Sequence, residues 1–408
     1  MSDKRNNDQS RSKSTQKFLT FFYRIQMGST SLSKRKKKKI LINYLVYGKH
    51  KSTDVNYPKN FAAVASEQLG IEVCFNENKL VPRLVAFFHT LDIQLRHFPW
   101  LQQKLRPLLK QLSTLTIIFP KQLRDVDAVL THWYYPVFTP LKKVPIIYSS
   151  GFHSNHYAGF SDDQARKKSH NFKTVRKKID KSMVSFFPAQ SWVSHFQKIN
   201  KQLPAGKISY IPHLLPEAKK EARFIKEKFQ DSVTRIIFVG RDGKRKGLLD
   251  IITVLKKILL LDPELKDSLF FTVISNTKIS LSEAGIPGQY LSEVTKPEVL
   301  QLMKQSHIFC MPTHHESYGH VFVEAMGSSC AIIADNQDPR TEILDQGKIG
   351  QLVKPGNHTE LKIALLKYLQ SRQLLEKHAA ACFEKFNREY AYEVVLEKLQ
   401  KTILSHIG

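Results

Sequence analysis

From Thr234 onward the chain alternates short apolar runs with stretches whose apolar residues recur every three or four positions. The runs at 234–239, 270–275, 288–291, 307–311, 331–335 and 350–353 predict strands, and the periodic stretches at 248–261, 297–306, 318–326 and 359–369 predict the helices between them. The same rhythm is present earlier, with strands expected at 40–46, 71–75, 116–119, 128–131, 144–148, 183–187 and 208–211, and helices at 60–69 and 190–201. Strands that alternate with helices pack as parallel sheets covered on both faces. The expectation is therefore α/β, with two Rossmann-like, doubly wound parallel-sheet domains facing a cleft, the default ligand site. The first domain is placed at 40–213 and the second at 214–385, with a connector at 212–230. An amphipathic helix at 386–408, with Tyr390, Tyr392, Val395, Leu396, Leu399 and Ile403 on one side, closes the chain.

The 408 residues suffice for two cores, and 42% apolar content fits a globular chain. Charge changes the picture: 63 Lys and Arg against 36 Asp and Glu leave a formal +27. Such an excess favours a polyanionic partner, whether nucleic acid, an anionic membrane or a phosphorylated substrate. Residues 1–39 hold 12 Lys and Arg against 2 Asp, so +10 of the excess lies in a polar leader ending Lys34-Arg-Lys-Lys-Lys-Lys39. Too poor in apolar residues to fold alone, this leader is expected to be disordered. Its patch Lys17-Phe-Leu-Thr-Phe-Phe-Tyr-Arg24 is too short for a signal peptide and lacks a small-residue cleavage site. It suits a membrane surface; the alternative is a plain tail, or residues upstream of a start at Met27. A second basic, amphipathic stretch between Leu80 and Leu115 suits either anionic lipid or the face of a sheet. No apolar run reaches the roughly 18 residues needed to cross a bilayer. Cys74, Cys310, Cys330 and Cys382 are scattered through apolar contexts, as reduced core residues of a cytoplasmic protein would be. No recognition module with interleaved aromatics accompanies the basic leader, so no nucleic acid is expected.

Candidate chemistry concentrates in two loops of the second domain. Gly240-Arg-Asp-Gly-Lys-Arg-Lys-Gly247 joins its first strand to its first helix, where glycines let backbone approach an anion at a helix N-terminus. Arg241 adds a planar fork of donors and Lys246 a flexible point charge, so the loop reads as a diphosphate cradle. Its spacing is neither Gly-x-Gly-x-x-Gly nor the P-loop pattern, and a solvated basic loop is the bland alternative. The second stretch, Thr313-His-His-Glu-Ser-Tyr-Gly-His-Val-Phe-Val-Glu-Ala-Met-Gly327, sets Glu316 at the mouth of the helix expected at 318–326 and Glu324 two turns in. A carboxylate accepts from two vicinal hydroxyls at once, which suits a sugar ring or a ribose. Asp125-Val-Asp127 leads straight into an apolar run and reads as a loop into a strand. His153 and His156 have no further ligands at metal spacing, so no metal is expected.

Together with Gly350-Gln-Leu-Val-Lys-Pro-Gly356, these motifs resemble the retaining family-four, or group 1, glycosyltransferases of the GT-B fold, closely over 205–395 and loosely before that. The resemblance implies transfer of a hexose-type sugar from a nucleotide donor, UDP- or GDP-linked, to a glycan or lipid-linked acceptor with retention, and no other cofactor. It implies that Arg241 and Lys246 hold the donor diphosphate, that Glu316 meets sugar hydroxyls and that Glu324 meets the ribose. Backbone around Gly240, Ser317, Tyr318 and Gly319 would line the donor. It also places the terminal helix back against the first domain. His153 falls where relatives carry a histidine loop facing the cleft, and His132 ends the preceding strand; either could contact the reacting sugar or be structural. Where relatives carry a Gly-Gly loop this chain has only Gly48, Gly327-Ser-Ser-Cys-Ala331 replaces the usual Gly and Pro, and His213-Leu replaces Asn-Gly. Alternatives are a transferase-like protein that binds a sugar nucleotide or glycan without turnover, and a polyanion-binding protein. The expected location is cytoplasmic, or peripheral on the inner membrane face.

Overall fold

The computed structural model describes residues 182–407 apart from 205, 216, 222 and 317, together with 39–43, 72–75, 126–132, 146–149, 179, 180 and scattered positions between 91 and 105. Every described residue lies in the unit Lys38–Gly408. The leader, the helix expected at 60–69, the strand at 116–119, Gly48 and His153 with its loop lie outside the described residues, as does most of the stretch from Leu80 to Leu115.

The first sheet is built from β1 (Lys39–Asn43), β2 (Glu72–Phe75), β3 (Ala128–His132), β4 (Ile146–Ser149), β5 (Val184–Phe187) and β6 (Ile208–Tyr210). All its pairings are parallel, in the order β2-β1-β3-β4-β5-β6. Helix α1 (Gln190–Ile199) follows β5. The second sheet contains β7 (Thr234–Val239), β8 (Leu269–Ile274), β9 (Gly288–Leu291), β10 (Ile308–Met311), β11 (Ala331–Asp335) and β12 (Gln351–Val353), parallel in the order β12-β11-β10-β7-β8-β9. Its strands are apolar on both faces: every residue of β10 and β11 is buried, because helices cover the sheet on either side. Helix α2 (Leu248–Leu261) shows how. Leu248, Ile251, Val254, Leu255, Ile258 and Leu259 form its buried stripe, while Leu249, Leu260 and Leu261 face outward.

Three differences from the sequence reading matter. The helix expected from Tyr318 begins at His320, as α4 (His320–Gly327), because Gly319 at φ +81° is left-handed and cannot extend it. Glu316 therefore lies in a loop four residues outside the helix, and Glu324 is its fifth residue, one turn in and not two. A helix at Arg372–Lys385 escaped the pattern, since its buried side, Leu375, His378, Ala379, Cys382, Phe383 and Lys385, mixes apolar residues with a histidine and a lysine. The terminal helix is broken as well. A π-helical turn at Phe386–Tyr390 ends at Ala391, whose ψ of 142° leaves the helical region before the last helix, Tyr392–Ile407. Tyr392 N–H then donates to the Ala218 carbonyl at 2.7 Å, and Lys398 Nζ stands 3.9 Å from the centre of the Tyr210 ring in β6. Between the second sheet and α1 the Glu342 carboxylate accepts from Gln190 N–H at 2.9 Å and Ser191 N–H at 2.7 Å.

Candidate active site

In the second sheet the chain runs outward through β7, β8 and β9, then resumes at β10 on the other side of β7. The loops leaving the C-terminal ends of β7 and β10 thus emerge side by side at the topological switch point, where open α/β sheets hold ligands. These are the loops 240–247 and 312–319, the two stretches singled out by their residue types. Close approach is built in. A Cβ on Gly247, at φ +81°, would lie 2.4 Å from the Pro312 carbonyl oxygen. His314 N–H donates to the Arg245 carbonyl at 2.9 Å, which also accepts from the Thr313 hydroxyl at 3.2 Å. On Gly240 a Cβ would crowd the stem of Lys246, so that glycine leaves the lysine its path.

At the centre Lys246 and Glu316 form an ion pair, with their side chains 13% and 12% exposed. Burial lowers the Lys246 ammonium to about 7, and the nearby Arg245 and Arg340 charges add to the shift while Asp335 and Asp242 oppose it. The Glu316 carboxylate in contact with it works in the same direction as those two acids. Behind the loop, Arg340 is completely buried. It grips Asp335 with two 2.8 Å hydrogen bonds and donates to the Glu316 carbonyl at 3.2 Å, so the glutamate's backbone is held from the sheet side. Arg241 is exposed, with its carbonyl accepting from Asn276 N–H at 3.1 Å and from the Ser275 hydroxyl at 3.3 Å. Glu324 is 7% exposed and pairs with Lys296 at the start of the preceding helix, α3 (Lys296–Gln305).

Tyr318 is buried, its ring 4.8 Å from that of His213 and 5.5 Å from that of His320, and burial pushes its hydroxyl well above the usual range. His213 Nδ1 and His320 Nε2 share a hydrogen bond. Burial lowers His320 to about 4, with Lys296 and Lys246 contributing, so its imidazole is neutral near pH 7. The N-cap of α4 is Gly319, which has no side chain to cap the helix, and the first turn carries no acid, so the positive end of its dipole adds to the field at the loop that carries Glu316. Ser317 and His153 lie outside the described residues, and of His132 only the strand backbone is described. Sequence reasoning missed Lys296, Arg340, Asp250, His314 and His358. Lys296 had a usable signal, the capping box Thr295-x-x-Glu298 that fixes where its helix opens. Arg340 had none for its contact with the Glu316 carbonyl, which the sheet brings to it. Among the described residues, no three His, Cys, Asp or Glu are grouped to hold a metal ion, and no helix is long and apolar enough to cross a membrane.

Residues 219–384, which contain both loops, match the model of the glycosyl transferases group 1 family. This stretch is a group 1 glycosyl transferase domain. Curated relatives include the phosphatidyl-myo-inositol mannosyltransferase of Mycobacterium leprae, 26% identical over 173 residues, 41% of this chain and 45% of that protein. A probable sucrose-phosphate synthase of Thermosipho melanesiensis is 30% identical over 119 residues, 28% of each chain. The chain thus spans less than half the length of these relatives. Solved structures extend the likeness to the fold of the longer chain. Sucrose-phosphate synthase from Thermosynechococcus elongatus superposes with a TM-score of 0.58 at 11% identity, covering 90% of this chain and 99% of that one. HepE of Anabaena, solved with UDP and glucose, gives 0.55 at 14% identity over 90% and 100%. The fold is GT-B, the two-sheet fold of group 1 glycosyl transferases.

Proposed function

We propose that the protein transfers a hexose-type sugar from a UDP- or GDP-linked donor to a glycan or lipid-linked acceptor, with retention of configuration. The observation that carries this reading is the Lys246–Glu316 pair at the β7/β10 switch point, a cation and an acid withdrawn from water together where a donor's diphosphate and sugar would meet. Lys246 and Arg241 bind the diphosphate and stabilise the charge that develops on it as the sugar departs. Glu316, released from Lys246, accepts from the sugar hydroxyls, and Glu324 accepts from the ribose. The start of α4 faces the phosphates with its dipole. Closure of the first domain over the donor aligns the acceptor and excludes water. The relatives named a phosphatidyl-myo-inositol mannosyltransferase and, by its structure title, a glycosyltransferase of lipopolysaccharide biosynthesis support an acceptor held at a lipid surface. Phe98 and Trp100, 58% and 65% exposed on the basic stretch, suit contact with anionic lipid on the cytoplasmic face.

A thermal-shift screen of UDP-, GDP- and ADP-sugars tests the donor. A ligand at about 100 times its dissociation constant stabilises by roughly 2.7 kcal/mol, so one nucleotide series is expected to raise the melting temperature by several degrees. A flat response to all three at millimolar concentration would sink the reading. Hydrolysis of the stabilising donor then separates turnover from simple binding.

A further inference from the structure

The two loops of the site are tied a second time, through a side chain that the donor chemistry does not use. Asp250 lies in the first turn of α2, three residues past Gly247, with its side chain 18% exposed. One carboxylate oxygen is 2.7 Å from His314 Nε2 and the other is 2.8 Å from His358 Nε2. An ionised carboxylate only accepts, so each imidazole must present an Nε2–H to it. His314 is two residues before Glu316. His358 opens the helix His358–Gln370, just after the 354–357 turn. That turn packs on His314: a Cβ on Gly356 would meet His314 Cε1 at 3.4 Å. Three segments of the second domain therefore converge on one carboxylate, which also sits favourably in the first turn of its own helix.

The convergence matters because Glu316 stands on a loop, and a loop by itself does not hold a side chain to the fraction of an ångström that a reacting sugar requires. Its backbone is pinned at 316 by Arg340 and at 314 by the Arg245 carbonyl. The backbone bond fixes the position of residue 314; a fixed His314 side chain also fixes the loop's rotation about that bond. We propose that Asp250, with His314 and His358, is a positioning device that sets the Glu316 loop against the Lys246 loop, and so sets the orientation of the donor's sugar. The role assigned to the donor rests on the proposed function. The tie between the loops does not.

The test uses the full chain with Asp250→Asn, His314→Leu and His314→Gln. A glutamine amide nitrogen reaches the place of Nε2 and still donates, whereas leucine keeps bulk and loses the donor. Amide hydrogen exchange without ligand is expected to be about tenfold faster across 312–320 in Asp250→Asn and His314→Leu, near wild type in His314→Gln, and unchanged in β7 and β8. With the donor identified by the thermal screen, kcat should fall about tenfold in the first two variants with KM within a factor of two, and His314→Gln should retain most of it. Unchanged exchange in Asp250→Asn and His314→Leu, or a His314→Gln variant as impaired as His314→Leu, overturns the proposal. A wild-type protein that binds no sugar nucleotide would defeat the donor assignment, and the exchange comparison would still decide the positioning role.

Discussion

Two of the domain's glutamate–lysine pairs use glutamates eight residues apart in sequence, Glu316 and Glu324, and they are built differently. Glu316 and Lys246 both come from loops, and both side chains are about seven-eighths buried. Glu324 and Lys296 both come from helices, and while the acid is 6% exposed its lysine is 36% exposed. Two charges withdrawn from water together depend on each other, since removing either strands the other in a poorly solvated place. A buried acid whose lysine remains in water can exchange that partner at little cost. Under the proposed function, the first pair is therefore the one a donor replaces at both ends, with diphosphate for Lys246 and hydroxyls for Glu316. The second can open by swinging one surface side chain.

The comparison can be broken most directly at Glu316. Glu316→Ala removes charged hydrogen bonds worth roughly 1.5–3 kcal/mol, so donor turnover should drop about 10–150-fold; full activity in a folded variant would end the assignment. An effect of similar size, on stability and not on turnover, should come from the close approach of the two loops that carry the first pair. Gly247→Ala puts a Cβ 2.4 Å from the Pro312 carbonyl oxygen at a left-handed φ, and it should cost roughly 2–4 kcal/mol in urea denaturation. A cost near zero would mean that the two loops do not meet as described.

A smaller effect separates the two lysines by pH. Burial holds Lys246 at about 7 against an ordinary 10.5, so between these values the unfolded chain binds the extra proton and folding stability rises with pH. In the proposed function Lys246 binds the diphosphate as an ammonium, so UDP affinity should weaken as pH passes from 7 to 9, by at most about tenfold per unit, with proton uptake on binding seen by calorimetry in two buffers. The dependence should vanish in Lys246→Arg and persist in Lys296→Met. Loss of the dependence in Lys296→Met instead would reverse the ranking of the pairs. The smallest effect concerns α5 (Arg340–Ile343), the short helix whose Arg340 donates to the Glu316 carbonyl. Glu342→Ala leaves the N–H groups of Gln190 and Ser191 without their carboxylate and should cost about 1 kcal/mol, read as a shift in the denaturation midpoint.

Much of the second sheet was legible because its strands are buried on both faces and its helices on one, which writes an unbroken run and a 3.6-residue stripe into the chain. The helix Arg372–Lys385 was not legible. Its buried side includes His378, which bonds to the Tyr368 hydroxyl at 2.8 Å, and a polar residue satisfied by a distant partner looks exposed in sequence. Gly319 was read as part of a helix, and only its left-handed backbone moves the start of α4 to His320 and puts Glu316 on a loop.

By itself the sequence determined the alternation of strands and helices, the two chemistry-bearing loops and the presence of these acids and bases in one domain, since these follow from local pattern and residue type. The tertiary structure alone decided which base meets which acid. Lys246 reaches Glu316 across 70 residues and Lys296 reaches Glu324, because the sheet order places β10 beside β7 and α3 beside α4. Asp250, His314 and His358 likewise become neighbours only there. A contact between distant residues leaves no period in the chain; it exists when the crossovers have been made.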